Sequence, residues 1–292
     1  MIKQKHINLF DVTLYLAFTV IMFVMLFPFW KVVVTSIASY RESVTRSFTL
    51  FPRELDFGAY RMIFTTNEFM NSMWVTFRIA IFGVLYNLLL TLTLAYGLSI
   101  KEVPGRGLLI SFVLIPFFFS GGLIPLYLQV KNLGLLDSLL SVVLPLGING
   151  WYLIIAKNYF CGISPSLREA ARVDGANDLQ IFLRIILPIS KVMISVFLLF
   201  YAVERWNEWY YAMLFINDSR KIPLLKLLRD ITFNNFETGS MAVAYRQLSG
   251  SPVDSESVKC ASTVVAMVPI LMVYPFLQRH FTSGVMVGAV KE

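Results

Sequence analysis

The stretch 79-IAIFGVLYNLLLTLTLAYGLSI-100 runs for 22 residues without a charge, between Arg78 and Lys101. A helix of about 20 apolar residues crosses the hydrocarbon core of a bilayer. In lipid a helix is favoured over an open sheet, because it satisfies its backbone hydrogen bonds within itself. The stretch therefore predicts a transmembrane helix. Other apolar runs of similar length predict further transmembrane helices in the same way.

Further apolar runs predict an all-α polytopic membrane protein with six transmembrane helices. Four of them carry no charge: Val12–Trp30, Gly107–Val130, Ser138–Ala156 and Cys260–Leu277. The sixth joins Val192–Val203 to 210-YYAMLFIN-217 and is interrupted by 204-ERWNEW-209. The composition agrees, since 57% of the residues are hydrophobic and 15% are charged, against about 25% charged residues in soluble domains.

Charge and motif content argue against several other classes. The net charge is +7, and the charged residues lie mostly between the apolar runs. In that position they indicate the orientation of the helices in the membrane and contacts with lipid headgroups, rather than nucleic-acid binding. Cys161 and Cys260 are far apart in sequence and predict buried or membrane-embedded thiols rather than a disulfide framework. The only histidines of the sequence, His6 and His280, argue against a histidine-rich metal site. Ser164 and His280 lack the partners of a serine protease. No phosphate-binding G-x-x-x-x-G-K-[ST] motif occurs, so we expect ATP hydrolysis to belong to a partner.

Basic residues predict the orientation. The N-terminus, the loops 101–106 and 157–191 and the C-terminal tail together hold 11 Lys and Arg residues, which predicts that both termini are cytoplasmic. The chain then divides into an N-terminal tail, first helix and external loop (1–71), a core of helices two to six (72–280) that includes the cytoplasmic loop 157–191, and a cytoplasmic tail (281–292).

The loop 157–191 contains 169-EAARVDGANDLQIFLRIILP-188. Ser166 and Glu169 have capping-box spacing and predict the start of a short helix, which Gly175 ends. Asn177 and Gln180 predict the start of a second helix. The result is a helical hairpin at the membrane surface, which either docks a partner or simply connects two spans.

The broken fifth span carries the second candidate site. Glu204, Asn207, Glu208 and Tyr211 are spaced to share one helix face, with Arg205, Trp206 and Trp209 beside them. Carboxylates and amides can hydrogen-bond the hydroxyls of a sugar, and aromatic rings can stack on its ring faces. One hypothesis is therefore that this face lines a transport path. If the cargo is acidic, we expect Arg205 to matter more than the carboxylates. The alternative is an ion pair of Arg205 with Glu204 or Glu208 near the outer interface. Asn87 and Asn149 either face the path or hydrogen-bond between helices.

The stretch from Glu169 to Pro188 follows the pattern E-A-A-x-x-D-G-A-x-x-x-x-x-F-x-x-I-x-L-P. This pattern resembles the EAA loop of binding-protein-dependent ABC importer permeases. The segments 206-WNEW-209 and 123-LIPLYLQVKNLGLLDS-138 resemble the MalG-like carbohydrate permeases. The tail 269-PILMVYPFLQRHFTSGVMVGAVKE-292 is most similar to the LplC/YtcP-type group, which includes the alginate-importer permeases.

The resemblance implies a MetI-like type I importer fold and a permease subunit, not an enzyme, in the bacterial cytoplasmic (inner) membrane. The cargo would be a carbohydrate, an oligo- or polysaccharide that could be acidic, such as alginate. The implied partners are a second permease in a heterodimer, two ATPase subunits that carry ATP and Mg²⁺, an extracytoplasmic solute-binding protein, the saccharide and membrane lipids. No cofactor on this chain and no nucleic acid are expected.

The resemblance also assigns two contact regions. The coupling helix that docks on the ATPase would comprise Glu169, Ala170, Ala171, Arg172, Asp174, Gly175 and Ala176. The C-terminal contact with the ATPase would comprise Gly288, Ala289, Val290, Lys291 and Glu292. The alternative function is a self-contained, ion-coupled membrane transporter in which Glu204 and Glu208 relay protons.

Overall fold

The computed structural model describes residues 9–39, 42, 50–233 and 255–289. Within these ranges the regular structure is helical, apart from an isolated antiparallel bridge between Ala38 and Leu55. The chain divides into two compact units, one of residues 1–67 with 230–268 and one of residues 68–229 with 269–292. The prediction of an all-α architecture is confirmed for the described part of the chain.

The first unit is dominated by α1 (Leu9–Ser36), which contains the first predicted span. Its apolar middle is exposed within the unit, as expected for a helix surrounded by lipid. The segment after α1 folds back on its end, where the Trp30 indole N–H donates to the Leu50 carbonyl at 2.9 Å. The hydroxyls of Ser36 and Tyr60 lie 2.8 Å apart and join α1 to α2 (Gly58–Thr65).

The remaining helices carry both candidate sites. In chain order they are α3 (Asn67–Ser99), α4 (Arg106–Phe118), α5 (Leu123–Asn132), α6 (Leu140–Leu146), α7 (Gly150–Cys161), α8 (Pro165–Val173), α9 (Asp178–Ile189), α10 (Lys191–Trp206), α11 (Tyr210–Phe215), α12 (Leu224–Phe233) and α13 (Ser255–Ala289). The last turn of α6 is a 3₁₀ turn, and residues Phe182–Ile186 of α9 form a π-helical turn.

Three described helices are long and apolar enough to cross a membrane, namely α1, α3 and the Ser255–Met272 part of α13. Three bent pairs also qualify, α4 with α5 (116°), α6 with α7 (48°) and α9 with α10 (82°), so the described residues hold up to six candidate spans. The predicted third and fourth spans are therefore bent. Gly121 and Gly122 break the third, where Gly122 adopts a φ of +89°.

The core of the second unit forms where α3, α7, α9 and α10 pack together. Phe182 of α9 stacks on Tyr96 of α3 with ring centroids 4.9 Å apart, and Tyr96 meets Phe160 of α7 edge to face. Ala171 of α8 and Ile181 of α9 belong to the same buried cluster. The hairpin formed by α8 and α9 is thus anchored directly to the apolar core.

Candidate transport cavity and coupling hairpin

The α8–α9 hairpin starts two residues earlier than the sequence suggested. Pro165 occupies the first turn of α8 and Ser164 precedes it as N-cap, without a side-chain cap. The Ser166 hydroxyl lies 2.7 Å from the Ser164 hydroxyl. The predicted Ser166–Glu169 capping box is therefore wrong, because proline at the first helical position shifts the helix start toward the N-terminus.

The corner of the hairpin agrees with the prediction. Gly175 adopts a φ of +81°, in the left-handed region where glycine carries no side-chain penalty. The Gly175 N–H donates to the Arg172 carbonyl at 3.0 Å, and the Ala176 N–H donates to the Ala171 carbonyl at 2.9 Å. These bonds satisfy the last carbonyls of α8, so glycine ends this helix as predicted.

The second helix begins with the predicted capping box. The Asn177 side-chain oxygen accepts from the Gln180 N–H at 2.8 Å, and the Gln180 side-chain oxygen accepts from the Asn177 N–H at 3.0 Å. Arg172 forms an ion pair with Asp178 at 2.9 Å across the corner, and this contact raises the pKa of the guanidinium. The pair joins the two helices of the hairpin directly.

The hairpin has one buried and one exposed face. Ala171, Ile181 and Phe182 are buried in the core, whereas Glu169, Ala170 and Asp174 are exposed. Val173, an apolar residue, is 88% exposed. A mixed apolar and charged surface therefore remains uncovered in the described chain, on the element whose opposite face is fixed to the core.

The side chains of the predicted C-terminal contact lie outside the described part of the structure. Gly288 and Ala289 belong to the last turn of α13. Val290, Lys291 and Glu292 lie outside the described residues.

The residues that the sequence placed on one continuous helix face are divided by a break after α10. The helix α10 ends at Trp206 and α11 starts at Tyr210. The Glu208 carboxylate accepts from the Tyr211 N–H at 2.9 Å and so caps the start of α11. The prediction of one continuous face is wrong, because this carboxylate favours a new helix start over continuation of the old one.

A cavity of about 320 Å³ nevertheless collects four of the six predicted pathway residues. Glu204, Arg205, Glu208 and Tyr211 line it together with Pro145, Leu146, Ile148 and Asn149 from the break between α6 and α7. Asn207 is exposed and is not among the lining residues. Trp209 also lies off the lining, and the Arg229 guanidinium stands over its ring at 5.2 Å.

Arg205 is buried, with 3% of its surface exposed. Its Nε and Nη2 both donate to the Asn87 side-chain oxygen, at 2.9 and 2.8 Å. Nη1 donates to the Val142 carbonyl at 3.1 Å, and Nη2 also donates to the Leu146 carbonyl. Among the described ion pairs, none includes Arg205 with Glu204 or Glu208, so the predicted ion pair is wrong.

These bonds, which we call the Arg205 clamp, join three helices. Asn87 of α3 donates to the Leu146 and Gly147 carbonyls at 2.6 and 3.0 Å. A helix end leaves its last carbonyls without partners inside the helix. Arg205 and Asn87 supply those partners at the end of α6, and Asn149 then caps the start of α7 through its side-chain oxygen.

The sequence pointed to Asn87 and Asn149 as polar residues in apolar runs but missed Gly83. A Cβ at Gly83 would lie 2.8 Å from Arg205 Cδ and 3.0 Å from Arg205 Nε. Gly83 stands one helical turn before Asn87, so the two residues share a face of α3. That spacing is the signal that a sequence search could have used.

A second cavity, of about 470 Å³, was not predicted. Its lining is mainly apolar, from Phe112, Val113, Pro116 and Phe117 of α4, and it is completed by Ile148, Asn149 and Gly150. A Cβ at Gly150 would lie 2.9 Å from the Phe117 ring, so glycine at that position allows the aromatic ring to reach the helix break.

A hydrogen-bonded corner joins the loop before α6 to the loop after α11. Asp137, with a φ of +56°, accepts from the backbone N–H groups of Asn217 and Asp218, and these bonds lower the pKa of its carboxyl. The Lys221 ammonium donates to the Asp137 carbonyl at 2.7 Å. Arg220 lowers the pKa of Asp218 to about 2 through side-chain and backbone hydrogen bonds.

No three His, Cys, Asp or Glu side chains in the described ranges are grouped closely enough to hold an ion. The described residues show long or bent apolar helices, a polar cavity at a helix break and an anchored hairpin with an exposed face. Together these features are typical of a helical membrane permease.

Comparisons with known proteins identify the kind of permease. The chain is 43% identical to protein LplC of Bacillus subtilis (strain 168) over 270 residues, which cover 90% of this chain and 88% of LplC. It is 41% identical over 284 residues to YtcP of the same strain, a polygalacturonan/rhamnogalacturonan transport system permease protein. The matched residues cover 97% of this chain and 99% of YtcP. No protein-family model matches the chain.

A solved structure indicates the same family. A chain of a bacterial ABC transporter involved in the import of the acidic polysaccharide alginate superimposes with a TM-score of 0.87 at 29% identity, covering 96% of this chain and 99% of that one. The chain belongs to the MalG-like carbohydrate ABC importer permeases, in the group of LplC and YtcP.

This membership confirms the predicted family and the predicted role as a transport subunit rather than an enzyme. It supports an importer permease over a self-contained, ion-coupled transporter. The protein is thus a bacterial membrane protein with apolar helices.

Proposed function

We propose that this chain is one of two similar permease subunits of an importer in the bacterial inner membrane, and that the imported carbohydrate is an oligo- or polysaccharide. The names of the relatives support the cargo, since YtcP carries polygalacturonan and rhamnogalacturonan in its name and the structural neighbour belongs to an alginate importer. Six spans in a MetI-like type I fold fit the three long helices and three bent pairs.

The observation that carries the proposal is the cavity formed by the break between α6 and α7 together with the break between α10 and α11. Carboxylate and amide groups of Glu204, Glu208 and Asn149 line it beside the Tyr211 ring. Polar groups are expensive within a membrane and face a cavity or a partner. Residues of this kind bind the hydroxyls of a sugar, so the cavity serves as a station on the transport path.

The α8–α9 hairpin transmits the movement of the ATPase. The segment Glu169–Ala176 docks on the ATPase subunit with its exposed residues, and its buried residues, Ala171 among them, push on the core. The Arg172–Asp178 pair and the Asn177 capping box keep the hairpin rigid. Because α9 continues into α10, a displacement of the hairpin reaches Arg205 and the cavity through one connected segment.

The complete transporter contains this chain, a second permease, two ATPase subunits that bind ATP and Mg²⁺, and an extracytoplasmic binding protein that delivers the cargo. Both termini of this chain lie in the cytoplasm, and its C-terminal residues Gly288–Glu292 contact the ATPase. The permease core covers residues 72–280, and the segments 1–71 and 281–292 flank it.

The test is to co-express the chain with its genomic neighbours and to weigh the purified complex by native mass spectrometry. Gly175→Pro is compared with Gly105→Pro, because both glycines have a positive φ and open space around them. The proposal expects two ATPase copies and a second permease in the wild type and in Gly105→Pro, and loss of the ATPase alone in Gly175→Pro. A chain that purifies alone and transports sugar would contradict it.

A further inference from the structure

The middle of α9 holds one residue more than a regular α-helix would. The Leu187 N–H donates to the Phe182 carbonyl, five residues back, so Phe182–Ile186 form a π-helical turn. Such turns usually occur singly, as insertions within an α-helix. Pro188 accounts for the position of this one, because in an α-helix its ring would clash with the Arg184 carbonyl and it has no N–H to donate there.

The extra residue decides which side chains of α9 face the core. In an α-helix, residues eight apart differ in direction by about 80°, since each residue turns the helix by about 100°. The inserted residue takes back about 100°, which brings Phe182 and Ser190 to within about 20° of the same direction. Both residues are buried, whereas Leu183 and Arg184 are exposed. The buried face of the hairpin therefore continues as far as Ser190.

Ser190 stands at the 82° bend between α9 and α10 and precedes the first residue of α10. A serine at this position normally has an extended backbone and accepts a hydrogen bond from an N–H of the first helical turn. Here its ψ is 12° and its side chain forms no cap bond. Its hydroxyl is fully buried and has no hydrogen-bond partner among the described residues, which costs free energy.

One backbone change would relieve both features. If the π turn became α-helical, the extra residue would move to the bend, and Ser190 could adopt the extended backbone of a cap and accept from the Met193 N–H. The segment that turns is short, and its residues Pro188 and Ile189 are exposed, so little buried surface is disturbed. The start of α10 would shift relative to the hairpin by about 1.5 Å, the rise of one residue. Helix shifts of this size are common in allosteric transitions.

We propose that residues 182–190, which we call the α9–α10 joint, are a two-state element of the coupling path. In the present state the π turn is formed and Ser190 is uncapped. When the ATPase displaces the hairpin, the π turn becomes α-helical and Ser190 caps α10. Ser190 is thus a positioning residue that acts on the cavity through α10. This inference rests on the proposed function, because it assumes that the ATPase docks on the hairpin.

The first test compares Ser190→Ala with Ser195→Ala in the reconstituted complex. Ser195 lies in the same helix, and its hydroxyl donates to the Lys191 carbonyl at 2.9 Å. Loss of an unpartnered hydroxyl should not lower the Tm. We expect sugar uptake per ATP hydrolysed to fall about fivefold in Ser190→Ala, the effect of one lost cap on a two-state equilibrium, and to stay unchanged in Ser195→Ala. Ser190→Thr keeps a capping oxygen and should restore uptake.

Hydrogen exchange detects the cap directly. In the wild-type complex, a non-hydrolysable ATP analogue should slow amide exchange at residues 191–194, because the cap protects an N–H that the helix itself leaves without a partner. Ser190→Ala should abolish this response.

A further variant removes the π turn. Deletion of Arg184 together with Pro188→Ala allows a regular α-helix with the same faces buried, and it should hydrolyse ATP but lose uptake. Pro188→Ala alone keeps the extra residue and should retain most of the uptake. Native mass spectrometry checks that each variant still holds the ATPase, and Ser190→Ala decides the question if the deletion variant does not assemble.

Unchanged coupling in Ser190→Ala, full uptake by the deletion variant, or amide exchange at 191–194 that does not respond to the ATP analogue overturns the inference. Each of these results leaves the proposed function standing, because the complex still imports sugar with its ATPase. A wild-type chain that imports sugar without an ATPase would contradict the proposed function and the two-state joint together.

Discussion

Gly83→Ala tests the Arg205 clamp without changing any of its hydrogen-bonding groups. The new methyl would lie 2.8 Å from Arg205 Cδ, 3.0 Å from Nε and 3.1 Å from Cγ. These distances are too short for carbon and nitrogen atoms in contact, so the side chain must move. Arg205 is held at its guanidinium by Asn87 and two carbonyls, and it therefore cannot move without stretching those bonds.

The expected cost follows from that conflict. Overpacking a well-packed interior costs about 1–3 kcal/mol, and a weakened hydrogen bond to a charged group adds to it. Alanine also gains up to about 1 kcal/mol over glycine in a helix. Gly97→Ala in the same helix is the matched control, because its Cβ would meet no atom within 4 Å. We expect Gly83→Ala to be less stable than Gly97→Ala by about 1–3 kcal/mol.

The assay is thermal unfolding of the purified complex together with sugar uptake. Relative to Gly97→Ala, the Tm of Gly83→Ala should fall by roughly 2–10 °C, and uptake should fall because the clamp fixes one wall of the cavity. In an Arg205→Ala background the same Gly83→Ala change should cost little, since residues in contact are not additive. Equal Tm and uptake for the two alanine variants, or a full cost without Arg205, would refute the reasoning.

Three further predictions concern the other described sites. Asn87→Leu removes both the oxygen that accepts two Arg205 bonds and the amide that donates to two carbonyls, and it should cost about 2–3 kcal/mol in thermal unfolding. Asn87→Asp loses the donor but keeps the acceptor for Arg205, and should cost less. Gly175→Ala adds a side chain at a φ of +81°, at a cost of about 1–2 kcal/mol; uptake per ATP hydrolysed should fall, and Gly162→Ala, at a negative φ, should not lower it. The Asp218 carboxyl has a folded pKa of about 2, below its ordinary 3.8, so its stabilisation is complete above that ordinary value and is lost as pH falls toward 2. Limited proteolysis across this range should show the corner opening, and Asp218→Asn should reduce the pH dependence but not abolish it, because the Asp137 carboxyl of the same corner also has a lowered pKa.

The apolar pattern predicted where helices lie but not where they bend. Runs without charge reveal a helix of membrane length because hydrophobicity is a local property of the sequence. The 116° bend at Gly121–Gly122 and the 48° bend before Gly150 occur inside such runs, where no charge marks the break. Glycine in an apolar run is compatible with close packing as well as with a turn, so the sequence left the choice open.

The candidate cavity was predicted in part. Glu204, Glu208 and Tyr211 were found because charges inside an apolar run need a reason. The ion pair considered for Arg205 was the wrong alternative, since its nearest charges in sequence are carboxylates and its actual partners are Asn87 and Leu146, more than 50 residues away. A single sequence shows which residue requires partners, but only the packing of three helices decides which partners it meets.

The bend between α4 and α5 has a consequence for how the protein enters the membrane during synthesis. The two helices have 13 and 10 residues, which correspond to about 20 and 15 Å of helix, and the hydrocarbon core is about 30 Å thick. Neither half can cross on its own, and a chain bent by 116° cannot leave the insertion machinery as a straight rod. The bent segment therefore relies on neighbouring helices to cover the break at membrane depth, which ties its stable integration to assembly of the helix bundle.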